Sequence, residues 1–129
     1  MNGSPTAPLI IGNVSGWLKN EHTLCLSYGG TAITMDDVRS SEELRDTLAP
    51  GRPVYVLVEM PRVKATSDET RRHAPHPDTR KIAVVYASPV GRMLGNVFLR
   101  LKGKKYPTRL FENRQKALQW FKDAGPPKV

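Results

Sequence analysis

The chain has 129 residues, of which 39% are hydrophobic and 25% charged, and this size predicts one soluble domain around a single core. Its apolar runs are far shorter than the roughly 20 residues of a membrane-spanning helix. The first residues lack the basic and apolar stretches of a signal peptide. A single cysteine, Cys25, excludes an internal disulfide and a cysteine-based zinc site, and we expect a cytoplasmic protein.

The net charge of +8 is unevenly distributed along the chain. Residues 1–60 carry 4 Lys and Arg against 7 Asp and Glu, whereas residues 61–129 carry 16 against 5. This asymmetry indicates a basic region that could meet nucleic acid, an anionic ligand or an acidic partner. A solvated surface that aids solubility would give the same pattern.

Strand patterns dominate the first part of the chain, after a disordered tail predicted over residues 1–8. The run "LIIGNVSGWLK" alternates loosely between apolar and polar residues, and "HTLCLSY" follows a turn. The segment "TAIT" follows a hairpin turn predicted at Gly29 and Gly30. These three segments predict an antiparallel portion of a sheet.

The segment "TMDDVRSSEELRDTL" predicts the first helix. Its start is ambiguous because two pairs, Thr34 with Asp37 and Ser40 with Glu43, both have the spacing of a capping box. Its buried face is sparse and consists of Val38, Leu44 and Leu48.

Two continuous apolar runs, "PVYVLVEM" and "KIAVVYA", are typical of strands that are covered on both faces. Between them, "TSDETRRHA" predicts a short helix capped by Thr66 or Ser67. After them, "SPVGRMLGNVFLRL" predicts a long helix capped by Ser88. A short strand, "PTRLFE", and a last helix between Asn113 and Gly125 complete the pattern.

The order of these elements predicts a single α/β domain over residues 9–124, followed by a C-terminal tail over 125–129. Alternating helices and long apolar strands indicate a partly parallel sheet, and the opening strands make it mixed. We expect about six strands covered by about four helices.

The segment "SPVGRMLGNVFLRL" followed by "PTRLFENRQKALQWF" resembles small bacterial STAS-like (SpoIIAA-like) domain proteins of unassigned function. "ITMDDVRSSEEL" leading into "PVYVLVEM" matches the same family, so that the resemblance spans about residues 20–122. These proteins are related to anti-sigma-factor antagonists and are sometimes grouped with lipid-transfer-like domains. The resemblance implies a mixed sheet with helices and, for function, a regulatory or binding module.

In the wider STAS superfamily, a serine at the start of the helix after a central strand is phosphorylated. The resemblance puts that position at Asp68, a carboxylate that no kinase can switch. Thr66 and Ser67 immediately precede it and are hypothetical phosphoacceptors. Alternatively, both are simply helix caps.

No group of residues predicts catalysis or a resident cofactor. His73, His76 and Asp78 superficially resemble a metal site, but the prolines between them indicate an exposed loop, and we expect no metal. Cys25 alternates with leucines in a strand, which is typical of a packed thiol rather than a nucleophile. We therefore expect that the protein is not an enzyme.

The start of the helix at Ser88 is a candidate anion site, because helix N-termini present free N–H groups and such sites gather at the carboxyl ends of strands. Gly91 and Gly95 have an alternative role as points of close packing. The candidate ligand-binding residues are Ser88, Gly91, Arg92, Asn96, Arg80 and Lys81.

The function predicted from these observations is that of a non-catalytic bacterial regulatory or protein-interaction module. The alternative is a binding protein or sensor for a small anionic or lipid-like ligand. A nucleic-acid-associated protein is a weaker alternative, for which only "KGKKY" argues, and we do not expect nucleic acid as the partner. The expected partners are another protein, a second copy of the chain, or a small anion.

Overall fold

The computed structural model describes residues 6–67, 69–70, 76–87 and 107–128, and all that follows concerns these ranges. They contain eight strands and two helices. The strands are β1 Leu9–Ile11, β2 Val14–Asn20, β3 Thr23–Tyr28, β4 Ala32–Ile33, β5 Val54–Glu59, β6 Ala65–Thr66, β7 Thr79–Val85 and β8 Thr108–Phe111. The helices are α1 Met35–Leu48, between β4 and β5, and α2 Arg114–Ala124, after β8.

The main sheet has six strands in the order β1-β2-β3-β5-β7-β8. The first three strands pair antiparallel, whereas β3, β5, β7 and β8 pair parallel. The predicted mixed α/β sheet of six strands is therefore confirmed. Of the four predicted helices, the described ranges contain two, and the other two fall mainly on residues 68, 71–75 and 88–106, outside them.

Two strand assignments made from the sequence are wrong. The first predicted strand folds back on itself at Gly12, whose φ of +58° suits glycine, so that "LIIGNVSGWLK" forms both β1 and β2. "TAIT" does not form a hairpin with β3, because β4 instead pairs parallel with β6 in a separate two-stranded sheet. Alternation of apolar residues marks a strand but does not identify its partner.

The predicted terminal tails contact the domain where they are described. The Thr6 N–H donates to the Leu18 carbonyl at 3.0 Å, and Thr6 Oγ1 accepts the Leu18 N–H at 2.8 Å. At the other end, the Gly125 carbonyl accepts a hydrogen bond from the Tyr55 hydroxyl at 2.6 Å. Both segments are thus tied to strands of the main sheet.

Helix α1 begins at the first of the two candidate capping boxes. Thr34 is the N-cap: its backbone N–H donates to the Asp37 carboxylate at 2.9 Å, and its hydroxyl accepts the Asp37 N–H at 3.4 Å. The helix packs on β1, β2 and β3, where Leu44 is fully buried. The predicted buried positions Val38 and Leu44 are confirmed, whereas the third, Leu48, is half-buried against the same core.

Helix α2 covers the opposite face of the sheet, across β5, β7 and β8. Asn113 caps it by accepting the Lys116 N–H at 2.9 Å, as the sequence predicts. Ala117 and Phe121 are buried, and the Phe121 ring stacks on Tyr55 with 5.0 Å between ring centroids. The central strands are therefore covered on both faces. Neither described helix is long and apolar enough to cross a membrane.

Gly16 of β2 lies beneath α1, and a methyl group there would lie 3.3 Å from Leu26 Cδ2 and from Leu44 Cβ. We expect Gly16→Val to lower the free energy of unfolding by about 1–3 kcal/mol, because the helix would have to move away from the sheet. Urea denaturation measures this loss.

Ser15→Val, on the other face of the same strand, is the matched control. It should lower the free energy of unfolding by less than Gly16→Val does. Leu44→Ala should make Gly16→Val less costly than it is in the wild type, since it removes Leu44 Cδ1, which also lies 3.3 Å from the added methyl group. Equal stability of Gly16→Val and the wild type would contradict close packing at this point.

Candidate ligand-binding site

The face of the sheet on the α1 side carries two rows of aliphatic side chains. The strand register places their members side by side across β3, β5 and β7: Leu24, Val56 and Ile82 in the first row, and Leu26, Val58 and Val84 in the second. Since alternate residues of a strand point to the same face, the two rows are about 6.6 Å apart. They form an apolar floor.

A cavity of about 140 Å³ lies between this floor and α1. Val38, Ser41 and Glu42 line it from the helix. Towards the carboxyl ends of the strands it is bounded by Tyr28, Ile33, Met60 and Thr70, and its polar residues elsewhere are Arg45, His76, Thr79 and Thr108. The cavity is therefore apolar over its floor and carries a cation on its wall.

Arg45 supplies that cation and is only 4% exposed. Its Nη1 donates to Thr79 Oγ1 at 3.2 Å, whereas Nη2 has no hydrogen-bond partner in the described part of the chain. Burial lowers the pKa of Arg45, while the nearby carboxylates of Asp78 and Asp46 raise it. A guanidinium keeps its proton at neutral pH, so a charged N–H₂ group lies buried without an acceptor.

Arg45 was not predicted from the sequence, although a signal was present. Val38, Ser41 and Arg45 follow the i, i+3, i+7 spacing of one helix face, and Val38 was already assigned to the buried side. A charged residue on the core-facing side of a helix is unusual. That pattern marks a buried cation even before its partners are known.

His76 lies at the polar end of the cavity, half-buried, rather than in an exposed loop, so that prediction is wrong for this residue. Its Nδ1 accepts the Asp78 N–H at 3.0 Å. His73, its predicted neighbour, lies outside the described residues. Within the described ranges no three His, Cys, Asp or Glu side chains are grouped as metal ligands.

Arg80 and Lys81, two of the predicted anion-binding residues, do not line this cavity. Arg80 donates to the carbonyls of Lys128 and Pro77 at 2.7 and 2.8 Å. The Lys81 ammonium lies over the Trp120 ring on the α2 side, 4.6 Å from its centroid.

The remaining predicted anion-binding residues, Ser88, Gly91, Arg92 and Asn96, lie outside the described ranges. An anion site there stays a prediction. The buried cation that the structure does describe, Arg45, contacts the first residue of β7 and so lies at the amino end of that strand rather than after its carboxyl end.

Thr66 and Ser67, the hypothetical phosphoacceptors, follow one another at the end of β6. Ser67 Oγ accepts the Thr70 N–H at 3.1 Å and donates to Thr70 Oγ1 at 2.8 Å, which is the hydrogen bonding of a cap. Thr66 Oγ1 is buried, with no hydrogen-bond partner among the described residues. Phosphorylation of either residue stays a prediction.

Several cations of the basic C-terminal half lie over aromatic rings on the α2 side. Arg109 is 5.4 Å from the centroid of Phe111, and Arg114 is 5.6 Å from that of Trp17. Arg114 also pairs with Glu59, whose Oε1 lies 2.7 Å from Nη2. Contacts of this kind contribute about 0.5–1 kcal/mol each at exposed sites. Part of the excess charge therefore stabilises the fold.

The strand order and the two covered faces define an α/β domain with a mixed sheet. The chain belongs to a family described as a domain of unknown function, DUF7793, whose family model matches residues 17–124. It is similar to a solved structure, that of an uncharacterized protein from the DUF3478 family with a SpoIIAA-like fold from Shewanella loihica PV-4. No curated protein matches the chain.

This likeness has a TM-score of 0.52 at 13% sequence identity and covers 93% of this chain and 94% of the other. At such identity it concerns the fold alone. It supports the SpoIIAA-like fold that the sequence predicts.

Cys25 provides a test of the buried core on the α2 side. Burial raises the pKa of its thiol from the ordinary 9.0 to about 12, although the Arg114 guanidinium opposes this. The folded protein thus keeps a proton that the unfolded chain loses above about pH 9, so stability should fall as the pH rises from there.

We expect the urea midpoint to fall less between about pH 8 and about pH 10.5 in Cys25→Ala than in the wild type. Tyr28 and Tyr55, whose pKa values burial also raises, contribute equally to both proteins, so the difference isolates the thiol. Identical pH dependence in the two proteins would show that Cys25 is not protected.

Proposed function

We propose that this protein is a non-catalytic binding module or sensor for a small amphipathic anion, which it holds between α1 and the sheet. The observation that carries the proposal is the buried Arg45, which lines an apolar cavity and whose Nη2 has no acceptor among the described residues. This corresponds to the predicted alternative of a small anionic or lipid-like ligand, at a different place in the fold.

The energetics of burial support an anionic ligand. A buried charged donor without an acceptor costs about 1–3 kcal/mol or more. A carboxylate or similar group in contact with the guanidinium would accept a charge-assisted hydrogen bond and neutralise the cation. The aliphatic rows of the floor would contact the apolar part of the same ligand, as is usual in small-molecule pockets.

The polar groups of the cavity support binding rather than catalysis. The Ser41 hydroxyl donates to the Val38 carbonyl at 2.7 Å, and the Thr79 hydroxyl accepts from Arg45. His76 Nδ1 accepts a backbone N–H and is therefore not free to act as a base. Among the described lining residues, these contacts leave no activated nucleophile.

The cellular setting that we propose is the bacterial cytoplasm. Cys25 is a free, buried thiol, and cytosolic conditions keep thiols reduced. The family resemblance to bacterial STAS-like proteins points the same way, so a ligand of this kind would be a cytoplasmic metabolite.

The Arg45→Met variant tests this function. It keeps the length of the side chain and removes the charge, so we expect the ligand-free variant to be as stable as the wild type or more so. We expect octanoate or phenylacetate to raise the melting temperature of the wild type but not that of Arg45→Met, because the gain in stability follows occupancy.

Arg39→Met is the matched control, since Arg39 lies on the same helix with 65% of its side chain exposed. It should respond to the anions as the wild type does. The proposal fails if neither anion changes the wild-type melting temperature and native mass spectrometry detects no bound anion in protein from its own host.

The predicted protein-interaction role has an observation of its own. Leu9 and Ile10 of β1 are 41% and 72% exposed, on the outermost strand of the sheet as described. Exposed apolar residues on an edge strand favour pairing with another chain. The occupant that we propose is a second copy, since two β1 edges can pair antiparallel about a two-fold axis.

Ile10→Lys should abolish this pairing, because a charge on an edge strand opposes strand addition. Light scattering would then give the mass of a dimer for the wild type and of a monomer for the variant. Glu43→Lys, an exposed change of charge on α1, should leave the dimer intact. A monomeric wild type would contradict the proposal.

A further inference from the structure

We propose that residues 125–128, part of the predicted C-terminal tail, form a strap that holds the polar end of the α1 cavity in place. Arg80 is the positioning residue that joins this strap to the cavity. The effect on ligand binding rests on the proposed function, whereas the mechanical connection belongs to the fold and can be measured without a ligand.

The strap is fixed to the sheet at both of its ends. The Gly125 carbonyl accepts a hydrogen bond from the Tyr55 hydroxyl at 2.6 Å, and the Lys128 carbonyl accepts one from Arg80 Nε at 2.7 Å. Gly125 turns the chain with a φ of +75°, and two prolines follow it, of which the second is buried. Because each proline fixes its own φ, the segment between the two anchors is stiff.

A β-bulge in β7 lies at Arg80. Thr79 pairs with Val54, and Lys81 pairs with the next residue of β5. Arg80 is therefore the extra residue between them, and bulges of this kind re-aim a side chain. Besides the strap, its guanidinium reaches the Pro77 carbonyl, to which Nη1 donates at 2.8 Å. Both hydrogen bonds are charge-assisted, so they are stronger than those between neutral groups.

The Pro77 carbonyl belongs to a turn over residues 76–79, whose first and last residues line the cavity. The Thr79 N–H closes this turn by donating to the His76 carbonyl at 2.9 Å. The Thr79 hydroxyl accepts from Arg45 Nη1 at 3.2 Å. Hydrogen bonds therefore connect the strap, through Arg80 and the turn, to the buried cation of the cavity.

The strap also connects the two sides of the sheet. Tyr55, its first anchor, belongs to the core on the α2 side, whereas His76 and Thr79 line the cavity on the α1 side. When the strap is released, the turn loses a support and opens locally more often. A ligand that needs an ordered turn then binds more weakly and, by linkage, its binding stabilises the strap.

Amide hydrogen exchange of the ligand-free, full-length protein tests the strap. Arg80→Met keeps an unbranched side chain and removes both donors, so we expect the Thr79 amide to exchange at least about fivefold faster, the effect of one lost hydrogen bond. Lys81→Met, which removes the neighbouring cation on the α2 side, is the matched control and should leave this rate unchanged. The Asp37 amide in the cap of α1 should keep its rate in both variants.

An unchanged Thr79 rate in Arg80→Met would overturn the strap. The same acceleration at Asp37 would also overturn it, because the effect would then be a general loss of stability.

Tyr55→Phe tests transmission from the far anchor. It removes the hydroxyl that holds Gly125 and keeps the ring that stacks on Phe121. Tyr55 does not line the cavity, so faster exchange at Thr79 reports the strap and not a direct contact. We expect an acceleration of at least about twofold, since one anchor remains. A wild-type rate at Thr79 would show that the strap does not connect the two sides.

Octanoate and phenylacetate test the effect on binding. Arg80→Met should lose at least about half of the rise in melting temperature that these anions cause in the wild type, whereas Lys81→Met should keep it. An equal rise in Arg80→Met would overturn the coupling and leave the proposed function in place. If neither anion acts on the wild type, the effect on binding fails together with the proposed function, and the exchange rates still decide the strap.

Discussion

Side chains alternate between the two faces of the central parallel strands, and this alternation divides the core in two. On β5, Val56 faces the α1 side while its neighbours Tyr55 and Leu57 face α2. Since both faces of such a strand are apolar, each must be covered. Helix α2 covers its face with stacked aromatic rings. Helix α1 covers the other face with aliphatic side chains over the antiparallel half of the sheet. The two helices thus lie on opposite faces and on different strands, α1 on β1, β2 and β3 and α2 on β5, β7 and β8.

Among the described residues, the two faces differ in how completely they are filled. On the α2 side, Ala117 and Phe121 pack against Tyr55 and Leu57. On the α1 side, the helix presents Ser41 and Arg45 among its core-facing residues, and both line a cavity above the aliphatic floor. A methionine or leucine at position 45 would fill space without the cost of burying a charge. Buried charge of this kind is the feature on which the proposed ligand site rests.

Elements governed by short-range physics were predictable from the sequence. The runs "PVYVLVEM" and "KIAVVYA" indicate parallel strands, because an apolar run without alternation fits only burial on both faces. The caps at Thr34 and Asn113 follow from side chains that reach N–H groups three residues away. In contrast, the pairing of β4 with β6 joins residues more than thirty positions apart, and no local pattern encodes it. The same limit made "TAIT" look like the second strand of a hairpin.

For the candidate site too, local sequence patterns determined some features and the tertiary structure decided the others. The sequence by itself determined that the chain folds as an α/β domain with a mixed sheet, that α1 has a sparse apolar face, and that basic residues are in excess. Only the tertiary structure decided which basic residue is buried: Arg80 and Lys81 are held by carbonyls and by Trp120, whereas Arg45 lies against the cavity. Periodicity and capping act within a few residues, whereas the desolvation of a charge depends on every element that packs around it.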